Sequence, residues 1–149
     1  MKSMSLQDCV KMRDGKSYCV ILVSDDTSFF VPVLVDESEG RMLLKFIVGE
    51  DIGENELDRL LFIPESWKQL DSNMVAVELD YDDEEGVIVA QTCVHQKNEL
   101  QDKFCRVVTP IGYALIYSEH FGLPLYVDDR ISAQDGREIQ RLESYLKNI

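Results

Sequence analysis

Three short runs of apolar residues occupy most of the first 35 positions and predict three β-strands. The runs cover Leu6 to Lys11, Tyr18 to Val23 and Phe29 to Val35, and their lengths and β-branched residues are typical of strands. Asp14-Gly15 separates the first two runs and predicts a hairpin turn. Pro32 cannot donate a ladder hydrogen bond, so its presence in the third run indicates an edge position or a bulge.

The spacing of apolar residues changes after Val35 and predicts a helix. Asp36 is a suitable N-cap with Glu39 three residues later, and Gly49 is a suitable residue to end the helix. The apolar residues between the caps form a broad face: Met42, Leu43, Phe46 and Ile47. We therefore expect this helix in the core, with Leu43 and Ile47 buried.

A second helical segment and a hairpin are predicted further along the chain. The stretch "ENELDRLLF" predicts a short helix from about Glu56 to Phe62, and Pro64 indicates the first position of another helical turn. Met74 to Leu79 and Val87 to Val94 are apolar runs on either side of the turn sequence "DYDDEEG", which predicts a hairpin. The polar stretch "HQKNELQDK" after the hairpin is expected to be a loop.

Residues 106–129, "RVVTPIGYALIYSEHFGLPLYVDD", predict a strand, a helix and a second strand. Thr109-Pro110 breaks the first strand, and Ala114 to His120 suits a helix. Gly122 and Pro124 end that helix before the short run Leu125-Tyr126-Val127. The position of Thr109-Pro110 before the helix raises the question of whether it marks an active site or only ends a strand.

The residue types after Pro110 predict a structural helix. Ile111 and Gly112 carry no charge, so we expect Ala114, Leu115 and Tyr117 to pack inward and the N-cap to depend on Thr109, backbone or water. Tyr113 and Tyr117 share a helical face, so residues 112–121 are also a candidate contact between subunits of a homo-oligomer.

The remaining residues predict one more helix, from about Ser132 to Leu146, with an apolar stripe formed by Ile139, Leu142 and Leu146. We divide the chain into one domain, residues 1–130, and a C-terminal helix, residues 131–149, packed on it or extending from it. The predicted elements give an α+β fold: a mixed, strongly curved β-sheet with helices packed on one side.

Composition limits the possible partners. Of the 149 residues, 15 are Lys or Arg and 28 are Asp or Glu, which gives a net charge of −13. Tight binding to nucleic acid is disfavoured because it requires cations that neutralise phosphates. No apolar run is long enough to cross a membrane, and the N-terminal residues lack the apolar core of a signal peptide. The four scattered cysteines indicate reduced thiols in a cytoplasmic protein.

Two groups of residues have the chemical types of metal ligands. The acidic run from Glu78 to Glu85 does not match an EF-hand, because Gly86 falls at position seven and no Glu occupies position twelve; a solvated acidic turn is the better interpretation. Cys93 and His95 share a strand face, and Cys105 with His120 would complete a zinc set. Nothing in the spacing requires this set, since free cysteine is usually a small core residue.

Three stretches in order resemble the bifunctional nuclease family, whose bacterial and plant members are associated with cleavage of RNA and DNA. These are "FFVPVLVDESEGRMLLKFI", "ENELDRLLF" and "TPIGYALIYSEHFGLPLYVDD". They resemble the family's L-P-I-W-I-G strand with its following helix, its T-H-D-L-L helix start, and its R-P-S-D-A-I-A-L-A helix followed by G-x-P-I-Y-V. With the hairpin "DYDDEEGVIVAQTCV", the resemblance covers about residues 5 to 130.

The chain departs from the family pattern mainly at polar positions. Glu39, Gly40, Asp58 and Pro110 match the motifs, whereas Leu57 replaces a His. Thr109, Ile111 and Gly112 stand where the family has Arg, Ser and Asp. Thr cannot bind a phosphate in the bidentate way that Arg does, and Gly cannot hold a metal or act as a base.

The resemblance implies metal-dependent hydrolysis of RNA or DNA phosphodiesters, weakened by the replaced residues. Glu39 and Asp58 are the candidate catalytic residues and the candidate ligands of Mg²⁺ or Mn²⁺, if the two helix starts converge. Single-stranded RNA or DNA, bound weakly, is the implied substrate. The alternatives are that both carboxylates only stabilise helix N-termini, and that the domain is a non-catalytic scaffold acting through protein contacts or regulation.

Overall fold

A computed structural model describes residues 1–50, 54–97 and 102–149, and for residues 54–58 it describes the backbone. Within these residues one mixed sheet has the strand order β6-β5-β4-β7-β1-β2-β3-β8. The β4–β7 pair is parallel and the other pairs are antiparallel. The strands are β1 (Lys2–Lys11), β2 (Tyr18–Ser24), β3 (Phe29–Val35), β4 (Ser72–Asp82), β5 (Val87–Lys97), β6 (Asp102–Thr109), β7 (Leu125–Val127) and β8 (Arg137–Glu138).

Five α-helices accompany the sheet in the described residues, and the α+β class is confirmed. The helices are α1 (Glu37–Val48), α2 (Glu54–Gln69), α3 (Ile111–Phe121), α4 (Asp129–Asp135) and α5 (Leu142–Asn148). A single 3-10 turn, Ile139–Arg141, connects β8 to α5. None of these helices is long and apolar enough to span a membrane.

The predicted order of three strands and a helix at the N-terminus is confirmed. Gly15 adopts a left-handed conformation with φ 74° in the turn between β1 and β2, which glycine does without steric strain. Pro32 pairs with Ile21 of β2, and β8 pairs with β3 only at Phe29 and Phe30. Pro32 therefore lies beyond the short edge strand, where its missing N–H interrupts no ladder.

The sheet buries apolar side chains on both faces. Alternate residues of β2 point to opposite sides, so Val20 and Leu22 join one buried cluster whereas Cys19 and Ile21 join another. Helices α1, α2 and α3 cover the first face and contribute Leu43, Leu60 and the interior of α3. Residues 139–149 cover the second face with a separate set of partly buried apolar side chains: Ile139, Leu142, Tyr145, Leu146 and Ile149.

The helix predicted from Asp36 to Gly49 is confirmed, and one expectation about its packing is wrong. The Asp36 carboxylate accepts a hydrogen bond from the Glu39 N–H at 2.8 Å, and Gly49 ends the helix with φ 74°. Leu43 is fully buried, as expected. Ile47 is only half-buried, because it packs at the margin of the core.

The predicted boundaries of other helices need two corrections. The segment around Pro64 is not a separate helical start: α2 is continuous, and Pro64 lies inside it. The predicted helix from Ser132 to Leu146 is wrong as a single element, because the chain is extended at Gly136 and continues as β8. A side chain at Gly136 would place its Cβ 2.2 Å from the Ser132 carbonyl oxygen, so this close turn requires glycine.

The predicted loop from His95 to Lys103 is too long. Strand β5 continues to Lys97 and β6 begins at Asp102, and Lys97 pairs with Asp102. The polar residues at the ends of these strands are exposed at the margin of the sheet, where polarity and strand structure are compatible.

Candidate functional site

The three stretches that carry the family resemblance contribute the N-terminal ends of α1, α2 and α3. The ends of α1 and α3 meet at one contact. The Gly112 backbone N–H donates a hydrogen bond to the Glu39 Oε1 atom at 2.8 Å. Glu39 therefore supplies the N-terminal cap that α3 does not have within its own segment, since Pro110 makes no side-chain capping bond.

Thr109 does not cap α3, so the expectation that Thr109, backbone or water supplies the cap is wrong. The Thr109 hydroxyl contacts the Thr92 hydroxyl on β5 at 2.8 Å and donates to the Val107 carbonyl oxygen at 2.9 Å. Thr92 is buried, so this contact satisfies a polar group beneath α3. Thr109-Pro110 thus ends β6 and fixes the strand to its neighbour.

Two glycines allow α1 to pack closely against its neighbours: Gly112 at the contact with α3, and Gly40 at the contact with β2. A Cβ at Gly112 would lie 2.7 Å from the Glu39 Cβ, and a Cβ at Gly40 would lie 2.3 Å from the Tyr18 ring. These distances are shorter than normal carbon contacts, so a larger residue at position 112 requires α1 and α3 to separate, and one at position 40 requires α1 to move away from β2. The Asp that the family places at position 112 does not fit here unless Glu39 moves.

The Glu39 carboxyl is partly buried, and burial raises its pKa above the ordinary value of 4.5. The hydrogen bond from Gly112 opposes this effect, whereas the neighbouring carboxyl of Asp36 adds to it. The group therefore binds its proton more tightly than an exposed glutamate. An oxygen of Glu39 is already used by the backbone of α3, which reduces its capacity as a metal ligand.

The second candidate residue, Asp58, lies within α2, and its side chain is outside the described part of the chain. Two neighbours show how α2 is held. Leu60 is buried in the core, and its carbonyl oxygen accepts a hydrogen bond from the Tyr117 hydroxyl at 2.6 Å. Burial raises the pKa of Tyr117. Tyr117 thus packs inward, as the prediction of a structural helix expected. Of the two tyrosines proposed for a contact between subunits, only Tyr113 remains exposed.

A cleft of about 670 Å³ lies between α1, α2 and the start of α3. Its charged lining residues have both signs: Asp36, Glu37, Arg41, Lys45 and Arg59. Arg41 and Lys45 are four residues apart and therefore share one side of α1. The spacing of Arg41 and Lys45 is the feature of the sequence that indicates a cationic side to this cleft.

The alternative zinc set does not assemble. Cys93 and Cys105 lie on opposite faces of the sheet, because Cys105 pairs with Val94 whereas Cys93 pairs with Arg106. His95 stacks on Phe104 at 4.6 Å, and His120 packs against Phe121 at the far end of α3. No group of three or more His, Cys, Asp or Glu side chains suited to a metal ion occurs in the described residues.

The acidic turn between β4 and β5 is held by a cation from within the protein. The Arg130 guanidinium contacts carboxylate oxygens of Asp80, Asp83 and Asp128 at 3.2, 2.6 and 3.1 Å. The hydrogen bonds from Arg130 lower the pKa of Asp128 to about 2. The arginine therefore joins the β4–β5 turn to the start of α4 and provides the charge that a bound cation would otherwise supply.

No protein-family model matches the chain, and no curated protein matches it significantly.

Proposed function

We propose that this chain is a bifunctional-nuclease-like domain that acts as a non-catalytic scaffold, through contacts with other proteins. The observation that carries the proposal is the 2.8 Å hydrogen bond from Gly112 to Glu39. It gives the one acidic residue retained in the first motif a structural role as the cap of α3. Such a scaffold would work in the cytoplasm, where exposed thiols such as Cys105 stay reduced.

The residues that replace the family's polar groups support the same proposal. Thr109 is bonded to Thr92, and Gly112 is in contact with Glu39. Neither residue offers the charge that neutralises a scissile phosphate. The net charge of −13 also works against binding of a polyanion.

Metal-dependent hydrolysis of single-stranded RNA or DNA is the second candidate. It is favoured by the fact that the first turns of α1 and α3 are in direct contact, so two of the three motif regions lie at one place. Glu39 and Asp58 would be the ligands of Mg²⁺ or Mn²⁺, which would activate water and neutralise charge on the phosphate. The use of a Glu39 oxygen by Gly112 counts against this candidate.

A nuclease assay distinguishes the two candidates. Wild type, Glu39→Gln, Asp58→Asn and the control Glu37→Gln are incubated with single-stranded RNA or DNA and Mg²⁺, Mn²⁺ or Ca²⁺, with and without chelator. Glu37 lies in the same helical turn as Glu39 but is exposed and bonded to Arg41. The scaffold proposal predicts that all four proteins have the same background rate.

Metal-dependent hydrolysis predicts a different pattern of cleavage among the four proteins. Chelator-sensitive cleavage that is present in wild type and Glu37→Gln, and lost in Glu39→Gln or Asp58→Asn, would establish hydrolysis and exclude the scaffold proposal. A crystal soaked with manganese tests the metal site itself: the hydrolysis candidate predicts density between Glu39 and Asp58, and the scaffold proposal predicts none.

A further inference from the structure

Strand β6 forms one margin of the sheet and is exposed along its length. Within the described residues it pairs only with β5, and residues 102–108 are all exposed. Eight residues in a strand extend over roughly 26 Å. The opposite margin is protected by Pro32 and the two-residue strand β8. Within the described residues, β6 carries charged side chains but has no proline and no irregularity in its pairing with β5, so its edge is open to pairing.

Large apolar side chains are exposed on this strand. Phe104 is 72% exposed and Val108 is 73% exposed. The residues that face the helices are the odd-numbered ones, because Thr109 pairs with Ala90 in the core beneath α3. The even-numbered residues therefore project from the other face, in the order Asp102, Phe104, Arg106 and Val108.

The order of these side chains is complementary to itself. If two β6 strands pair antiparallel about Phe104, residue 102 of each copy lies opposite residue 106 of the other copy. Each Asp102 then faces an Arg106, and the two Phe104 rings face each other as a cross-strand aromatic pair. The twofold axis repeats the ion pair, so the contact has two opposite-charge pairs in all, one on each side of the aromatic pair.

The intrachain contacts of these residues are compatible with that arrangement. The Arg106 Nε atom lies 3.0 Å from Glu78 Oε2, and this contact holds the side chain over the sheet face. A guanidinium has five N–H donors, so the Glu78 contact uses only part of its capacity. Asp102 lies 3.6 Å from His95 Nε2, which leaves its second oxygen for an arginine.

The charge of β6 also favours a second copy at this place. Lys103, Arg106 and Asp102 give the strand a local net charge of +1 in a chain of net charge −13. The strand therefore lacks the acidic excess by which the chain as a whole repels a second copy. A symmetric contact of this kind closes as a dimer with one continuous sheet.

We propose that two copies of this chain form a homodimer through antiparallel β6–β6 pairing centred on Phe104. The inference goes beyond the proposed function and is independent of it, because the dimer contact lies on β6 and involves neither Glu39 nor Asp58. Failure of the dimer would leave the nuclease assay unaffected, and the reverse also holds.

A charge exchange tests the proposal by light scattering coupled to gel filtration across a dilution series, with circular dichroism as a check of folding. Arg106→Asp places two like-charged pairs across the contact, and Asp102→Arg does the same with the opposite sign. Each change should raise the dissociation constant of the dimer by roughly tenfold or more, because the twofold axis places the like-charged pair in the contact twice. The double variant Asp102→Arg/Arg106→Asp should recover the dimer, although it does not restore the contact between Arg106 and Glu78.

The two single variants provide a further control when they are mixed. Copies with two arginines and copies with two aspartates should form a heterodimer, although each protein alone is largely monomeric. This result depends on contacts between copies and cannot arise from loss of the intrachain bond to Glu78.

The register is tested by oxidation of an introduced thiol. Phe104→Cys in a Cys93→Ser/Cys105→Ser background should form a covalent dimer, because directly opposite residues lie within disulfide range. Lys103→Cys in the same background should not, since its opposite position is residue 105. A monomer at every concentration would overturn the proposal. A covalent dimer at position 103 instead of 104, or a dimer that resists the charge changes and is lost in Tyr113→Asp, would also overturn it.

Discussion

At the scale of single residues, Glu39 shows how a position can satisfy two structural demands at once. Its backbone N–H is capped by Asp36 within α1, and its carboxylate caps α3, 73 residues later in the chain. The first role is local and could be predicted from the spacing of Asp36 and Glu39. The second role depends on tertiary packing, and no pattern in the sequence indicates it.

The pKa of Glu39 gives a prediction with a definite sign. Burial raises the pKa of the folded carboxyl above 4.5, so the folded state holds the proton more tightly than the unfolded chain. This contribution to the free energy of unfolding is present at low pH and is lost as pH rises through the raised pKa. Glu39→Gln removes the titration but keeps an oxygen that accepts from Gly112.

We therefore expect the stability of Glu39→Gln, relative to wild type, to increase from about pH 4 to about pH 7. Urea unfolding at a series of pH values measures this. Glu37→Gln is the matched control, because it removes a charge from the same turn without affecting the bond to Gly112. Parallel pH profiles for wild type and Glu39→Gln would contradict the raised pKa.

At the scale of elements, α2 continues through a proline because another helix satisfies the group that the proline leaves unpaired. Pro64 has no N–H to donate to the Leu60 carbonyl oxygen four residues earlier. The Tyr117 hydroxyl of α3 donates to that oxygen at 2.6 Å. Proline alone predicts a helical boundary at position 64, because its compensation by Tyr117 is a tertiary contact that the sequence does not reveal.

Tyr117→Phe tests this compensation. The change leaves a buried carbonyl oxygen without its donor, so we expect a loss of about 1–3 kcal/mol in the free energy of unfolding. In a Pro64→Ala background residue 64 regains its N–H, and the same change should cost about 1 kcal/mol or less. Tyr113→Phe, on the exposed side of the same helix, is the control. An equal cost of Tyr117→Phe in both backgrounds would show that Leu60 is not the relevant partner.

The elements also show which patterns in the sequence were informative. The strands at the N-terminus and the β-α-β stretch from 106 to 129 are specified by local alternation, turn residues and helix stops, and these predictions were confirmed. The C-terminal helix was mispredicted because Ile139, Leu142 and Leu146 fit a helical stripe. These three side chains do pack, partly buried, against the second face of the sheet, but Gly136 breaks the helix before them.

At the scale of the whole molecule, the two faces of the sheet are covered in different ways. The core face is covered by α1, α2 and α3, whereas the second face depends on residues 139–149. The Tyr145 ring lies 5.5 Å from Phe30, and Arg137 lies over it at 5.0 Å. Backbone hydrogen bonds from Ile139 to Ser28 and from Arg13 to Ile149 also hold this segment. Its apolar side chains are only partly buried, so the segment is expected to open more readily than the core.

Two buried cysteines report separately on the two faces. Cys9 belongs to the cluster beneath the helices, and Cys19 belongs to the cluster beneath the C-terminal segment, where its sulfur lies 4.0 Å from the Tyr145 hydroxyl. Burial raises the pKa of Cys9 to about 12 and also raises that of Cys19. Both thiols should therefore react slowly while the protein remains closed.

Tyr145→Ala should accelerate labelling of Cys19 and leave Cys9 unchanged. Loss of the ring contacts weakens only the C-terminal segment, and a cost of about 1–2 kcal/mol corresponds to an increase of roughly five- to thirtyfold in the labelling rate. Mass spectrometry of peptides after timed exposure to a thiol reagent measures both rates in one sample. Faster labelling of both cysteines would indicate global opening, and an unchanged Cys19 rate would mean that Tyr145 does not hold the segment in place. Selective labelling of Cys19 would establish that the C-terminal segment opens independently of the helical face that contains Glu39.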